Sequence, residues 1–239
     1  MRVYKRNGIV VEGLNGSLVV DPSRKSHSHS TAIVTHAHSD HVMVVANPCT
    51  YHLTEATRDL AASRIPGKGN VKCVEWKQAW NAVGDLNVEL VPAGHILGSS
   101  QVVVEADSGR MVITSDFKLQ DSLIQKGAEV VECDSLVIET TFGLPCFSFP
   151  PREQVYNEMG SWIKRMVGLG HFVVLAGYAT GKAQELTAVC NEFAGETPLV
   201  HEKIFANNDV YKKHGVKLGD YICLNHNLND ANVLILPPS

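Results

Sequence analysis

Apolar positions in the first half of this chain fall in short alternating or continuous runs, the pattern of strands. Ile9-Val10-Val11 and Leu18-Val19-Val20 flank the turn signal Asn15-Gly16, predicting a hairpin over 9–21 that Asp21-Pro22 ends. Ala32-Ile33-Val34 predicts a short buried strand. Thr54 to Arg64 reads as a helix capped by Thr54. Strands are expected near Val71–Val74, Leu86–Val91, Gln101–Ala106, Met111–Ser115 and Leu136–Glu139.

The pattern changes at Phe142-Gly143-Leu144-Pro145 and again at Pro150-Pro151, where we place a domain boundary. Beyond it helix and strand alternate. Val155, Met159, Trp162, Ile163 and Met166 lie at helical spacing, and this Met and aromatic stripe reads as core packing. Phe172-Val173-Val174-Leu175-Ala176 is a buried strand. Thr180-Gly181-Lys182 opens a second helix with Leu186, Val189, Cys190 and Phe193 on one face, and short strands follow at Leu199-Val200 and Val233–Leu236. The expected division is 1–150 as a metal-binding domain and 151–239 as a smaller α/β domain, a plausible domain size.

The metal-binding expectation comes from Thr35-His36-Ala37-His38-Ser39-Asp40-His41, directly after the strand Ala32–Val34. A strand ending in a tight turn can aim three imidazoles and one carboxylate at one point. Zinc, iron and manganese accept these donors. The polar run Ser23–Ser30 also holds His27 and His29, but no strand end aims them, so they read as a solvated loop.

The hexad resembles the first metal motif of the metallo-β-lactamase fold superfamily. That resemblance implies that His36 and His38 hold one metal and that Asp40 and His41 hold a second. It also implies a lone His and then an Asp, each after a later strand. His95, in Ala93-Gly94-His95-Ile96-Leu97-Gly98-Ser99-Ser100, and Asp116, after Met111–Ser115, fill those places. Glu139-Thr140-Thr141-Phe142-Gly143 and Gly181-Lys182-Ala183-Gln184-Glu185 are similar to segments of the β-CASP nucleases. Within that group the chain looks most like ligase-associated DNA exonucleases and archaeal proteins labelled mRNA 3′-end processing factors.

The resemblance implies an α/β (α+β) fold, a metallo-β-lactamase αββα sandwich with a small, partial β-CASP-like α/β cap that looks truncated. It implies two divalent ions, zinc with manganese or iron as alternatives, bridged by Asp116. The implied reaction is hydrolysis of DNA or RNA, as an exonuclease, through a metal-activated hydroxide, with Asp40 orienting the water or accepting its proton. Lys182, Lys118 and Ser99 are the substrate-binding candidates, and Gly94, Gly98 and the Ser99-Ser100 pair would let a substrate backbone approach closely. The family pattern continues to later His motifs, whereas the last histidine here is His226. His201 and His226 stand outside the motif context. The chain is therefore expected to be a fragment, a reduced site, or a protein completed by a homo-oligomer or a partner chain.

Charge and composition adjust this picture slightly. A net charge of −4 counts against nucleic acid as partner. A metal centre, though, attracts phosphate directly. No run of 18 apolar residues predicts a membrane span. The N-terminal residues lack the apolar stretch of a signal peptide, and six scattered cysteines without a C-x-x-C pair suit free thiols in the cytoplasm. Gly181-Lys182 lacks phosphate-loop spacing, because Ala176 and Ala183 stand where Gly and Ser or Thr are needed. The alternatives are a small-molecule metallo-hydrolase of the thioesterase or lactonase type, and a catalytically weak subunit that binds nucleic acid.

Overall fold

The computed structural model describes residues 1–23, 29–42, 49–65, 70–224 and 231–238. They form a mixed α/β chain that divides into two compact units. The first comprises Met1–Asp121 and Gly127–Glu139, the second Ser122–Lys126 and Thr140–Ser239.

The first unit holds two sheets. One runs in the order β1 (Arg2–Lys5), β2 (Ile9–Glu12), β3 (Ser17–Val20), β4 (Thr31–Ile33), β5 (Thr50–Leu53) and β6 (Val71–Cys73). The predicted hairpin is β2–β3, paired antiparallel from Ile9↔Val20 to Glu12↔Ser17. From β3 to β6 the pairing is parallel, so β4 lies inside the sheet with all three residues buried. The other sheet runs β7 (Trp80–Val83), β8 (Leu86–Pro92), β9 (Ser100–Ala106), β10 (Gly109–Ile113), β11 (Ser135–Val137).

Period-two alternation explains how the sheets meet. Leu86, Val88 and Leu90 of β8 project to one side with Val102, Val104, Met111 and Ile113. They form one core with Val11, Leu18, Val20 and Ile33 of the facing sheet. Each such side chain contributes about 1.5–3 kcal/mol by leaving water. The opposite face of β8–β10 presents Val91, Val103 and Val112, covered by Val131 and Cys133. Helix α1 (Glu55–Leu60) starts at Thr54, whose Oγ1 accepts from Thr57 N at 3.2 Å, as the capping pattern predicts.

The second unit alternates α2 (Arg152–Gly168), β12 (Val173–Ala176), α3 (Lys182–Val189), β13 (Leu199–Val200), α4 (Glu202–Lys213), β14 (Ile222–Cys223) and β15 (Val233–Leu236). Its strands pair in parallel in the order β12-β15-β13-β14. Ile163, Ala183, Leu186 and Ile204 from the helices pack on Val173, Val200, Val233 and Ile235. The stripe on α2 is only partly core. Met159 and Met166 pack against this cluster, but Trp162 is 42% exposed because it lies off the buried line of Tyr156, Gly160 and Ile163. No disulfide joins the six cysteines, and no described helix is long and apolar enough to cross a membrane.

A buried ion cluster braces the second unit. The Glu185 side chain, 7% exposed, meets Lys182 Nζ at 2.7 Å, Tyr156 Oη at 2.5 Å and the Arg152 guanidinium. Burial alone would raise its pKa, but Lys182, Tyr156 and Arg152 outweigh burial and hold the carboxyl below its ordinary value. Glu185→Ala should therefore leave the partly buried Arg152 without its carboxylate, while the half-exposed Lys182 turns to solvent, and destabilise this unit by about 1–3 kcal/mol in chemical denaturation. In the wild type this contribution is full above the ordinary carboxylate pKa and is lost as pH falls through the lowered one. A variant with wild-type stability and an unchanged acid limb would remove this account.

Candidate metal centre

Three strand ends build the centre. At the first, the chain leaves β4 under constraint from both neighbours: Asp21 N donates to Ile33 O at 2.8 Å and Val34 N to His52 O at 2.9 Å. The following loop closes as a turn, with His41 N and Val42 N both donating to His38 O at 3.1 and 3.2 Å. Arg64 Nη2 pins its Ala37 carbonyl at 2.5 Å. Within two turns' length the loop thus fixes His36, His38, Asp40 and His41.

The second strand end is the β8–β9 connection. Ala93 N donates to Ser99 O, and Ser99 Oγ accepts from His95 N and Ile96 N at 3.0 and 3.1 Å. Gly94 and Gly98 have φ of +67° and +80°, a region costly for any residue with a Cβ. The space beside them is filled by protein backbone: Lys118 O and Ala128 N lie 2.5 Å from a Cβ built at Gly94, and Thr57 N lies 2.7 Å from one at Gly98. This corrects the substrate-approach role the sequence suggests for these glycines. They let the His95 loop pack on its own scaffold.

The third end is β10. Thr114 N donates to Val137 O, and Ser115 then takes a left-handed φ of +50°, turning Asp116 toward the histidines.

His36, His38, His95 and Asp116 each bring a donor atom to one place, all within 4.8 Å of one another. His38 Nδ1 lies 3.1 Å from both His36 Nε2 and His95 Nε2. Asp116 Oδ2 stands 3.7 Å from His36 Nε2 and 3.6 Å from His95 Nε2. An ion held at about 2.0–2.1 Å needs donors separated by about 3.0–3.4 Å, the range these distances bracket. The tautomers agree. Thr35 Oγ1 gives its one hydrogen to Asp21 Oδ2 at 2.7 Å, so it must accept from His36 Nδ1–H at 3.1 Å. That leaves the His36 Nε2 lone pair aimed at the other imidazoles, an arrangement a cation resolves. The donor set therefore fits a metal ion.

Beside it, His41 Nε2 lies 3.4 Å from Asp40 Oδ2 and 3.8 Å from Asp116 Oδ1. Its other nitrogen contacts Asp21 Oδ2 at 2.8 Å. The second clustered trio, Asp21, His36 and His41, is best read in that light: Asp21 accepts the Nδ1 proton and turns Nε2 outward. Asp21 is the site residue that sequence reasoning misses. Its only signal is an acidic residue at a strand end, which Asp-Pro turn chemistry explains equally well.

Burial, then the neighbouring His41, His38 and His95, push His36 far below its ordinary pKa, so it is a neutral donor. For Asp116, burial and then the nearby Glu139 and Asp40 charges overcome the pull of the histidines and raise its pKa. Burial would lower His41, but its hydrogen bond and attraction to Asp21, aided by Asp116 and Asp40, raise it. Excess acidic charge beside neutral donors is an environment that a cation relieves.

The other sequence candidates lie as follows. Asp40 is the exposed ligand candidate, its side chain 78% accessible. Ser99 is buried, its hydroxyl committed to the His95 loop. Lys118 joins the scaffold through its main chain, its N donating to Ala93 O at 2.9 Å. Lys182 belongs to the second unit and pairs with Glu185. His29 Nδ1 meets Ser17 Oγ at 2.9 Å, and His201 caps α4 by accepting from Lys203 N at 3.1 Å. His27 and His226 lie outside the described residues.

Comparison with known proteins gives relatives of several kinds. No family model matches the chain. A probable DNA ligase of Opitutus terrae is 30% identical over 209 residues, covering 87% of this chain and 20% of the ligase. An RNase J-like protein of Methanocaldococcus jannaschii is 25% identical over 183 residues, 67% of this chain and 43% of that protein. An uncharacterized protein encoded in the lig 3′ region of Acidianus ambivalens is 32% identical over 137 residues, 56% of this chain and 94% of that protein. The chain thus spans about a fifth of the ligase and under half of the RNase J-like protein. A solved structure of a protein of unknown function from Enterococcus faecalis shares the fold, with a TM-score of 0.64 at 12% identity over 98% of this chain and 74% of that one.

Two variants test the geometry without any assay of turnover. After reconstitution with zinc and desalting, His38→Ala should retain less metal than wild type by elemental analysis while keeping its far-ultraviolet circular dichroism. Asp21→Ala should weaken zinc affinity about 10–100-fold, the usual effect of losing a carboxylate behind a ligand histidine. Wild-type zinc content in His38→Ala would mean that the four donors do not form a site.

Proposed function

The chain belongs to the metallo-β-lactamase/β-CASP nuclease family, and from that premise we propose that it is a metal-dependent phosphodiesterase acting as an exonuclease on single-stranded DNA or RNA. The observation that carries the reading is the convergence of His36, His38, His95 and Asp116, from three strand ends, on one point. The names of the relatives supply the substrate class: RNases, a DNA ligase and a cleavage and polyadenylation specificity factor. In this proposal residues 1–150 supply the chemistry and 151–239 are the β-CASP-like domain.

His36, His38, His95 and Asp116 would hold one divalent ion, zinc by preference, and Asp40, His41 and Asp116 a second. Bound there, the ions supply Lewis acidity, which acidifies water and neutralises charge building on a phosphoryl oxygen. Asp116 suits the shared position, since Oδ2 faces His36 and His95 while Oδ1 faces His41. Asp40, solvent-exposed beside His41, is the carboxylate placed to orient an attacking water and take its proton. Asp21 keeps the His41 proton on Nδ1 throughout, so that Nε2 stays a donor. Lys118 and Lys182 would meet backbone phosphates, contacts that position a strand without reading its bases.

The deciding experiment incubates the purified chain, loaded with zinc or manganese, with end-labelled single-stranded DNA and RNA. Asp116→Ala serves as the blank. We expect metal-dependent shortening of at least one polymer and a loss of at least about a hundredfold in the variant. Turnover of a thioester with neither polymer cut would overturn the proposal, and so would equal cleavage by the Asp116 variant.

A further inference from the structure

Thr140 to Pro151 reads Thr-Thr-Phe-Gly-Leu-Pro-Cys-Phe-Ser-Phe-Pro-Pro, with no charged side chain and three phenylalanines. The second unit does not bury them. Phe142 is 61% exposed, Phe149 63% and Phe147 44%. They nonetheless cluster. The Phe142 ring centroid lies 5.3 Å from Phe147 and 5.4 Å from Phe149, with interplanar angles of 76° and 87°. Two turns hold the group together, Gly143 N donating to Thr140 O and Phe147 N to Leu144 O, each at 3.0 Å. Pro145, Pro150 and Pro151 limit the backbone freedom of the segment. Edge-to-face contact brings the rings together without stacking them, so flat aromatic surface stays open to a ligand.

We propose that Phe142, Phe147 and Phe149 form a platform on which the unstacked bases of a single-stranded nucleic acid rest. The proposal deepens the phosphodiesterase reading and rests on it. Three features favour this occupant. Every base offers a π face, so aromatic rings serve it better than the aliphatic side chains of an ordinary protein-binding patch. The segment carries no acidic group to repel a phosphodiester backbone. The cluster is also continuous with the proposed centre along the chain. Glu139 influences Asp116, its N donates to Thr114 Oγ1 at 3.4 Å, and Phe142 follows three residues later. A duplex keeps its base faces stacked inside, so the platform selects single strands.

The test compares binding of a fluorescent single-stranded oligonucleotide with that of the same strand carrying abasic residues throughout. It uses the full chain with Asp116→Ala to stop turnover, with and without Phe142→Ala plus Phe149→Ala. With the phenylalanines present, the intact strand should bind about tenfold more tightly than the abasic strand. The double substitution should abolish that preference by weakening intact-strand binding alone, and Phe142→Trp plus Phe149→Trp should keep it. Equal weakening toward both strands would show a structural role and overturn the platform, as would no change, or no strand binding by either protein. Hydrolysis of bis(p-nitrophenyl) phosphate, which has no bases, is measured separately on the wild type. Base-dependent binding without that hydrolysis would support the platform and overturn the phosphodiesterase reading.

Discussion

The carboxylate of Asp21 is the interaction on which the candidate site depends. It sits just past β3 with a left-handed φ of +46°, its side chain 11% exposed. Oδ1 accepts from Thr35 N at 2.8 Å, while Oδ2 accepts from Thr35 Oγ1 at 2.7 Å, His41 Nδ1 at 2.8 Å and Ser115 Oγ at 3.3 Å. One side chain therefore joins the ends of β3, β4 and β10, along with a histidine of the loop. A buried carboxylate is costly unless hydrogen-bonded, and here its acceptor positions are occupied. The compensation comes from the groups that need fixing. Thr35 orients His36, Ser115 precedes Asp116, and His41 faces Asp40.

Around that hub the ligand loops are braced by each other as well as by the sheets. Ser100 N donates to Thr35 O at 2.9 Å, joining the start of β9 to the histidine loop. Gly98 O accepts from Thr54 Oγ1 and Thr57 Oγ1 at 2.8 and 3.0 Å, so the first turn of α1 holds the far side of the His95 loop. The left-handed residues Asp21, Gly94, Gly98 and Ser115 all fall within these connections. Asp21 and Ser115, which carry a Cβ, take that conformation at a cost, and the hydrogen bonds around the Asp21 carboxylate hold them in it.

Sequence patterning reached much of this because the signals were local. A strand of Ala32-Ile33-Val34 feeding a His-rich turn is legible from adjacency alone, and so is the alternation in β8 that places Leu86, Val88 and Leu90 in the core. Elements that depend on partners were not legible. β1 is a polar edge strand visible only through its pairing with β2. β5 carries His52 in the middle of a buried run, and that histidine stacks on Trp80 with ring centroids 5.3 Å apart. α4 buries Asn208, which accepts from Gln184 Nε2 at 2.8 Å, so a polar residue occupies a core position and breaks the apolar stripe. Asp21 belongs to the same class, since its partners lie 14 to 94 residues away.

The charge distribution bears on how such a site would draw a polyanion. With a net charge of −4, the chain as a whole repels nucleic acid. Of the cations that could offset this, Arg152 is committed to the Glu185 carboxylate, and Lys182 shares that carboxylate while its side chain stays half exposed. Attraction must then be local. The acidic surplus of Asp21, Asp40, Asp116 and Glu139 makes the centre unfavourable for phosphate when empty and favourable only once cations have been acquired. Beyond the proposed lysine contacts, a surface that neither attracts nor repels charge costs nothing electrostatically, and the uncharged, exposed aromatic segment after Glu139 is of that kind. On the function proposed above, an acidic chain would meet a phosphodiester through its acquired cations, and stacking would add contact that charge does not oppose.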